Sequence, residues 1–143
     1  MNDRFFIDSN VCLYLFDKDE PEKSSKAKEL LKEVPIVSTQ VLAETANVLI
    51  KDFDFSKEET RQSVCFIRNN SEVIQITSQL FDTVFKIFIR YKFSFYDSMI
   101  VAAALEAGCS ILYSGDLQHK QVIENPEKNG IGKLTIINPF LSR

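Results

Sequence analysis

Short apolar runs and longer amphipathic stretches alternate along this chain. Residues 4–8 (RFFID), 35–38 (PIVS), 72–76 (EVIQI), 109–114 (CSILYS) and 133–140 (KLTIINPF) are short and apolar, the pattern of buried strands. Between them lie runs with helical spacing at residues 10–16, 21–34, 39–53, 56–70, 78–92 and 94–108. Pro21 is placed to open the second of these. Ser56 and Glu59 stand in capping-box spacing at the fourth. Ser94 as N-cap and Gly108 as C-terminal stop bound the last. Strands alternating with helices of this length predict an α/β fold, with a mostly parallel sheet of four to five strands covered by helices on both faces. The length of 143 residues suits one domain over 1–143. There are no repeats, low-complexity segments or linkers.

In such sheets ligands bind outside the carboxyl ends of the strands. Asp8 ends the first strand, and Asp116 follows the fourth. Right-handed crossovers keep parallel strands pointing one way, which brings these two acids to the same edge. The helix over 39–53 starts at that edge, and its buried stripe is Val41, Leu42, Thr45, Val48 and Leu49. Glu44 falls on the margin of the stripe, where a solvated glutamate would more often lie opposite it. Asp97 is the N3 residue if Ser94 is the cap. Two readings of it stand at this point: the acid of a capping box, or a carboxylate held at the mouth of the sheet. Asp8 and Asp116 could likewise serve as turn formers and Glu44 as a surface residue. Four acids arriving at one edge by independent routes favour a shared site.

Composition narrows the chemistry. Apolar residues make up 45% and charged residues 26%, ordinary for a soluble globular protein. No stretch approaches the ~20 apolar residues of a membrane span. The N-terminus lacks a basic region followed by an apolar run, which predicts a cytoplasmic protein. Cys12, Cys65 and Cys109 lack metal-type spacing and read as small buried residues in a reducing compartment. His119 is the single histidine, which excludes a histidine-rich zinc site. Net charge is −3, from 17 basic and 20 acidic residues, which at first argues against a polyanionic partner. Without the four candidate acids the balance is 17 against 16, or +1.

Clustered carboxylates repel and raise one another's pKa unless a cation joins them. A hard divalent ion with oxygen ligands resolves this, and Mg2+ keeps several waters when only a few carboxylates bind it. Such a site suits phosphoryl chemistry, orienting a water and offsetting charge on the leaving oxygen.

FFIDSNVCLYLF, PIVSTQVLAETANVL, FSFYDSMIVAAALEAG, ILYSGDLQH and LTIINPF together resemble the PIN-domain ribonucleases, and within them the VapC toxins of bacterial toxin–antitoxin pairs. The resemblance runs nearly end to end, and the family's acidic quartet maps onto Asp8, Glu44, Asp97 and Asp116. It implies a three-layer α/β/α PIN-like fold, Mg2+ or Mn2+ dependence and endonucleolytic cleavage of RNA. It also implies a cognate VapB-like antitoxin whose tail occupies the groove, and a homodimer. Two positions depart from the pattern. Gly115 stands where many relatives carry an acid before the last aspartate, and Lys120 stands where many have glycine after the histidine.

Supporting roles fall to Ser9, Asn10 and Ser114, which flank the strand-end acids and can orient a carboxylate or a metal-bound water, or simply cap turns. His119 reads as a phosphate-contacting or outer residue, or as a plain surface histidine. Phe81, Val84, Phe85 and Phe88 read as core or dimer face, and Arg90, Lys92 and Lys51 as solvated charges before RNA contacts. Two rivals remain at this level: a non-cleaving PIN-like RNA- or partner-binding module, and a Mg2+-binding signalling receiver of another doubly wound fold.

Overall fold

The computed structural model describes residues 4–128 and 132–141. The domain expected over 1–143 therefore includes residues 1–3, 129–131 and 142–143, which lie outside the described ones. In chain order the elements are β1 (Phe5–Ile7), α1 (Ser9–Tyr14), α2 (Pro21–Lys32), β2 (Ile36–Ser38), α3 (Thr39–Lys51), α4 (Lys57–Asn69), β3 (Glu72–Ile74), α5 (Leu80–Arg90), α6 (Phe95–Glu106), β4 (Ile111–Tyr113), β5 (Val122–Glu124), a short 3-10 turn (Pro126–Lys128) and β6 (Lys133–Ile137).

The sheet order is β3-β2-β1-β4-β6-β5, with parallel pairing throughout except that β5 runs antiparallel to β6. The sheet has six strands where four to five were expected. The addition is Val122–Glu124, a three-residue edge strand with only Ile123 fully buried, too short to alternate visibly. β1 lies between β2 and β4, so the order reverses there and the switch point falls between β1 and β4. A receiver places its first strand between the second and third, so this topology removes that rival.

Register explains where polar groups must go. Phe6 pairs with Leu112 and Leu112 with Ile136, a row of fully buried side chains on one sheet face. Side chains alternate along a strand, so Asp8 and Ser114 continue that row two residues on. Both are buried, at 4% and 0% exposure, and so must find partners. The opposite row of Phe5, Ile111 and Tyr113 is half-buried, with the Phe5 and Tyr113 rings packed edge-on at 5.5 Å.

Helix α6 packs against β2, β4 and β6, and α5 packs against α6. Every residue from Ser98 to Leu105 is buried, so α6 has no solvent face over two turns. Helix α2 stops at Lys32, two residues before the expected end, because Val34 turns left-handed at φ 55°. Helix α5 begins at Leu80 after a turn over residues 78–79. No helix among the described residues is long and apolar enough to cross a membrane.

Candidate active site

Asp8 occupies the step from β1 into α1. Its side chain caps the helix, with Oδ1 accepting the Ser9 N–H at 2.7 Å. Oδ2 accepts the Ser114 hydroxyl at 3.0 Å and the Asn10 amide at 3.3 Å. These bonds favour the ionised form, yet burial outweighs them, and the charges of Glu44 and Asp97 add to it. The carboxyl is pushed from 3.8 up to about 6. The thiol of Cys12 beneath it is pushed up strongly, by burial first and then by the Asp8 charge.

Asn10 ties the two strand-end acids together. Its Nδ2 donates to Asp8 Oδ2 and, at 3.1 Å, to Asp116 Oδ2, while its Oδ1 accepts the Gly115 N–H at 2.8 Å. Ser114 shapes the loop after β4, its hydroxyl accepting the amides of Asp116 and Leu117 at 3.2 and 3.3 Å. Asp116 itself is exposed.

Glu44 reaches the same place from α3. Ser38 ends β2 and also caps α3, accepting the Val41 N–H at 3.2 Å, so no loop separates strand and helix. Glu44 is half-buried, and Oε1 accepts the Ser9 hydroxyl at 3.3 Å. Oε2 accepts from Gln40 at 3.3 Å, and Gln40 also donates to the Tyr96 carbonyl at 3.1 Å. Gln40 is a site residue that the sequence reading missed. Its four-residue spacing from Glu44 was the available signal, whereas its reach to α6 is a tertiary fact.

Asp97 enters from α6. Its N–H donates to Ser94 Oγ at 3.1 Å, but among the described residues no hydrogen bond reaches its carboxylate. It is half-buried and close enough to act on the charge of Asp8. The structure thus gathers Asp8, Asp116, Ser9, Asn10, Ser114 and Glu44 in one hydrogen-bonded cluster, with Asp97 beside it. His119 is not part of it. Its Nδ1 accepts the Asn138 N–H at 3.0 Å, and the ring lines a separate groove.

A hard divalent ion suits the donor set, which is carboxylate and hydroxyl oxygen around a buried acid whose ionisation is costly. Among the described residues, no three histidine, cysteine or acidic side chains stand at metal-enclosing distance as the side chains lie. Gly115 leaves room near the cluster: a Cβ there would lie 3.4 Å from Asn10 Oδ1 and 3.6 Å from the Phe140 ring, ordinary contact distances. At Lys120 the backbone has φ 69°, the left-handed region that favours glycine. The Lys120 side chain is exposed. Arg90 pairs with Glu124 at 3.0 Å, while Lys51 and Lys92 are exposed. Val84 is core, Phe81 is half-buried, and Phe85 and Phe88 are 49% and 40% exposed.

Comparison with known proteins places the fold. Among curated proteins no sequence match is found. Among solved structures, the chain is similar to VapC20 of Mycobacterium tuberculosis, described as a sarcin-ricin loop cleaving toxin. Identity is 20% and the TM-score 0.62, over 78% of this chain and 91% of that one. It is similar to DNA-bound VapBC from Salmonella typhimurium at 19% identity and TM-score 0.67, over 96% and 99% of the two chains. It is also similar to VapBC2 from Rickettsia felis bound to a promoter DNA fragment, at 16% identity and TM-score 0.64, over 94% and 97%. The fold is therefore shared with these proteins. The PIN domain family model matches residues 5–125, most of the chain, and on that match the protein belongs to the PIN domain family.

Proposed function

We propose that the protein is a divalent-metal-dependent endoribonuclease and the toxin of a toxin–antitoxin pair. The observation that carries the reading is Asp8. It is a buried carboxylate with its pKa raised to about 6, joined through Asn10 to Asp116 and through Ser9 to Glu44, and facing the charge of Asp97. Asp8, Asp97 and Asp116, with Glu44, would hold Mg2+ or Mn2+. Such an ion supplies Lewis acidity that lowers the pKa of a water and offsets charge on a phosphodiester. The chain's own groups then do the positioning. Ser114 and Asn10 fix the Asp8 and Asp116 carboxylates, and Gln40 and Ser9 fix Glu44. Asp97, free of a capping bond, presents its oxygens at the mouth.

The partner in this reading is a VapB-like antitoxin encoded nearby, since the solved relatives include toxin–antitoxin complexes. A cationic side chain in its tail would form charge-assisted bonds with the acids. The exposed aromatic face of Phe85, Phe88, Ile89 and Tyr96 would receive a second copy. Light scattering should then find a dimer that Phe88→Glu converts to monomer.

Purified protein should cut RNA with Mg2+ or Mn2+. Chelator should abolish cleavage and zinc should not restore it, because no thiol or imidazole cluster selects zinc. Robust cleavage in excess chelator overturns the metal mechanism. A protein that binds RNA but leaves it intact with either ion would be the non-cleaving module, and Gly115 in place of an acid is the feature that favours that outcome.

A further inference from the structure

A second concave site lies on the other face of the sheet at the same edge. It is a groove of about 660 Å3 lined by Lys26, Tyr113, His119, Lys120, Ile137 and Asn138, with Pro139 and Leu141 at its margin. In a chain of net charge −3, this lining holds two lysines and no carboxylate. Two acids of the α2 side stand outside the lining. Glu29 is 3.8 Å from Lys26 in an exposed pair, and Glu33 acts on Tyr113 from a distance. Exposed pairs of this kind contribute little and yield readily to a polyanion.

The groove adjoins the acid cluster through one strand. Side chains alternate at the end of β4, so Ser114 faces Asp8 while Tyr113 faces the groove. The Tyr113 carbonyl accepts the Asp8 N–H at 3.0 Å, so the backbone that holds the acid also carries the groove wall. A ligand running over the lip of β4 meets both.

Three features fit a nucleotide. Lys26 and Lys120 approach from different elements, α2 and the loop after β4, and can hold one phosphate from two sides. His119 Nδ1 is an acceptor for the Asn138 N–H, which leaves the ring proton on Nε2 as a free donor. Tyr113 is a half-buried aromatic braced by Phe5, the kind of surface on which an unpaired base stacks. Lys120 adds a separate argument. Its left-handed backbone, pinned by its N–H to the Ile136 carbonyl at 2.7 Å, suits glycine better, so the lysine side chain is kept there at a conformational cost.

We propose that this groove binds one nucleotide of the RNA strand next to the bond that is cut, with its phosphate between Lys26 and Lys120 and its base against Tyr113 and His119. The proposal rests on the ribonuclease reading and adds a substrate-positioning site to it. Affinity for a fluorescein-labelled, uridine-rich single-stranded RNA, measured by anisotropy in chelator so that no cleavage intervenes, is the test. Lys26→Gln with Lys120→Gly should weaken binding about three- to tenfold and flatten the salt dependence by about one phosphate contact. Lys120→Gly relieves the backbone, so loss of folding does not confound the result. The same RNA carrying 4-thiouridine should photo-crosslink to Tyr113 or His119, as mapped by mass spectrometry.

Wild-type affinity and salt slope in the double variant, with no crosslink in the groove, overturn the proposal and leave the nuclease reading standing. A variant that binds RNA normally but loses a co-purifying protein assigns the groove to that protein and overturns it too. If the wild type neither binds nor cuts RNA, the nuclease reading fails and the subsite fails with it.

Discussion

Two helices in this protein begin with the same local pattern and use it differently. Helix α4 opens with Ser56 and an acid three residues on, and α6 opens with Ser94 and an acid three residues on. The cap backbones nearly coincide, at φ −66°, ψ 165° and φ −61°, ψ 165°. Each serine hydroxyl accepts the amide of the acid residue, at 3.0 and 3.1 Å. At α4 the box closes: Glu59 Oε1 accepts the Ser56 N–H at 2.9 Å, and its carboxyl is held below the usual range by that bond first. At α6 the box stays half open. Asp97 is one methylene shorter, makes no return bond among the described residues, and instead raises the pKa of Asp8 across the site. The same spacing therefore yields a structural lock in one place and a free carboxylate in the other, and the side-chain length separates them.

The comparison breaks most visibly in activity. Asp97→Asn should lower RNA cleavage by on the order of 10²-fold or more while leaving the melting temperature nearly unchanged, since the hydroxyl half of the cap survives. A cleavage rate within a few-fold of wild type would make Asp97 a cap residue like Glu59. Ser56→Ala should do the reverse, costing about 1 kcal/mol, or about 2–4 °C in Tm, with cleavage per folded molecule unaltered.

The finest discrimination lies in the pH dependence of the metal-free protein. The folded pKa of Asp8 is raised from 3.8 to about 6, so between those values the folded state keeps a proton that the unfolded chain has released. Stability should therefore fall as pH rises through that window and stay lowered above it. Asp8→Asn should remove this slope and, at neutral pH without metal, melt higher by about 1 kcal/mol. If the proposed metal site is right, added Mg2+ should raise the melting temperature of the wild type and raise that of this variant much less. If it melts lower without metal and keeps the full Mg2+ gain, Asp8 is a structural cap.

Much of this arrangement is legible in the sequence, because hydrophobic periodicity fixes the elements and parallel topology fixes the edge. Strand-end position placed Asp8 and Asp116, and the margin of a buried stripe placed Glu44. What escaped was tertiary. β5 exists through its pairing with β6, since its three residues carry almost no pattern of their own. Gln40 reads as an ordinary helix residue until the Tyr96 carbonyl is brought against it. His119 sits three residues from Asp116, yet its ring is turned to Asn138. The half-open box at Asp97 depends on one methylene and on which neighbour its charge meets, neither of which a spacing rule encodes.

The complete burial of α6 from Ser98 to Leu105 reaches beyond packing. Amides in such a segment exchange with solvent deuterium only through whole-molecule opening, whereas an exposed loop exchanges through small local fluctuations. Asp97 stands in the first turn of α6, immediately before that segment, and Asp116 on a loop at the surface. The two acids are thus held differently: the slow-exchanging segment begins directly after Asp97, whereas Asp116 stands exposed and is tied in place by the Asn10 amide.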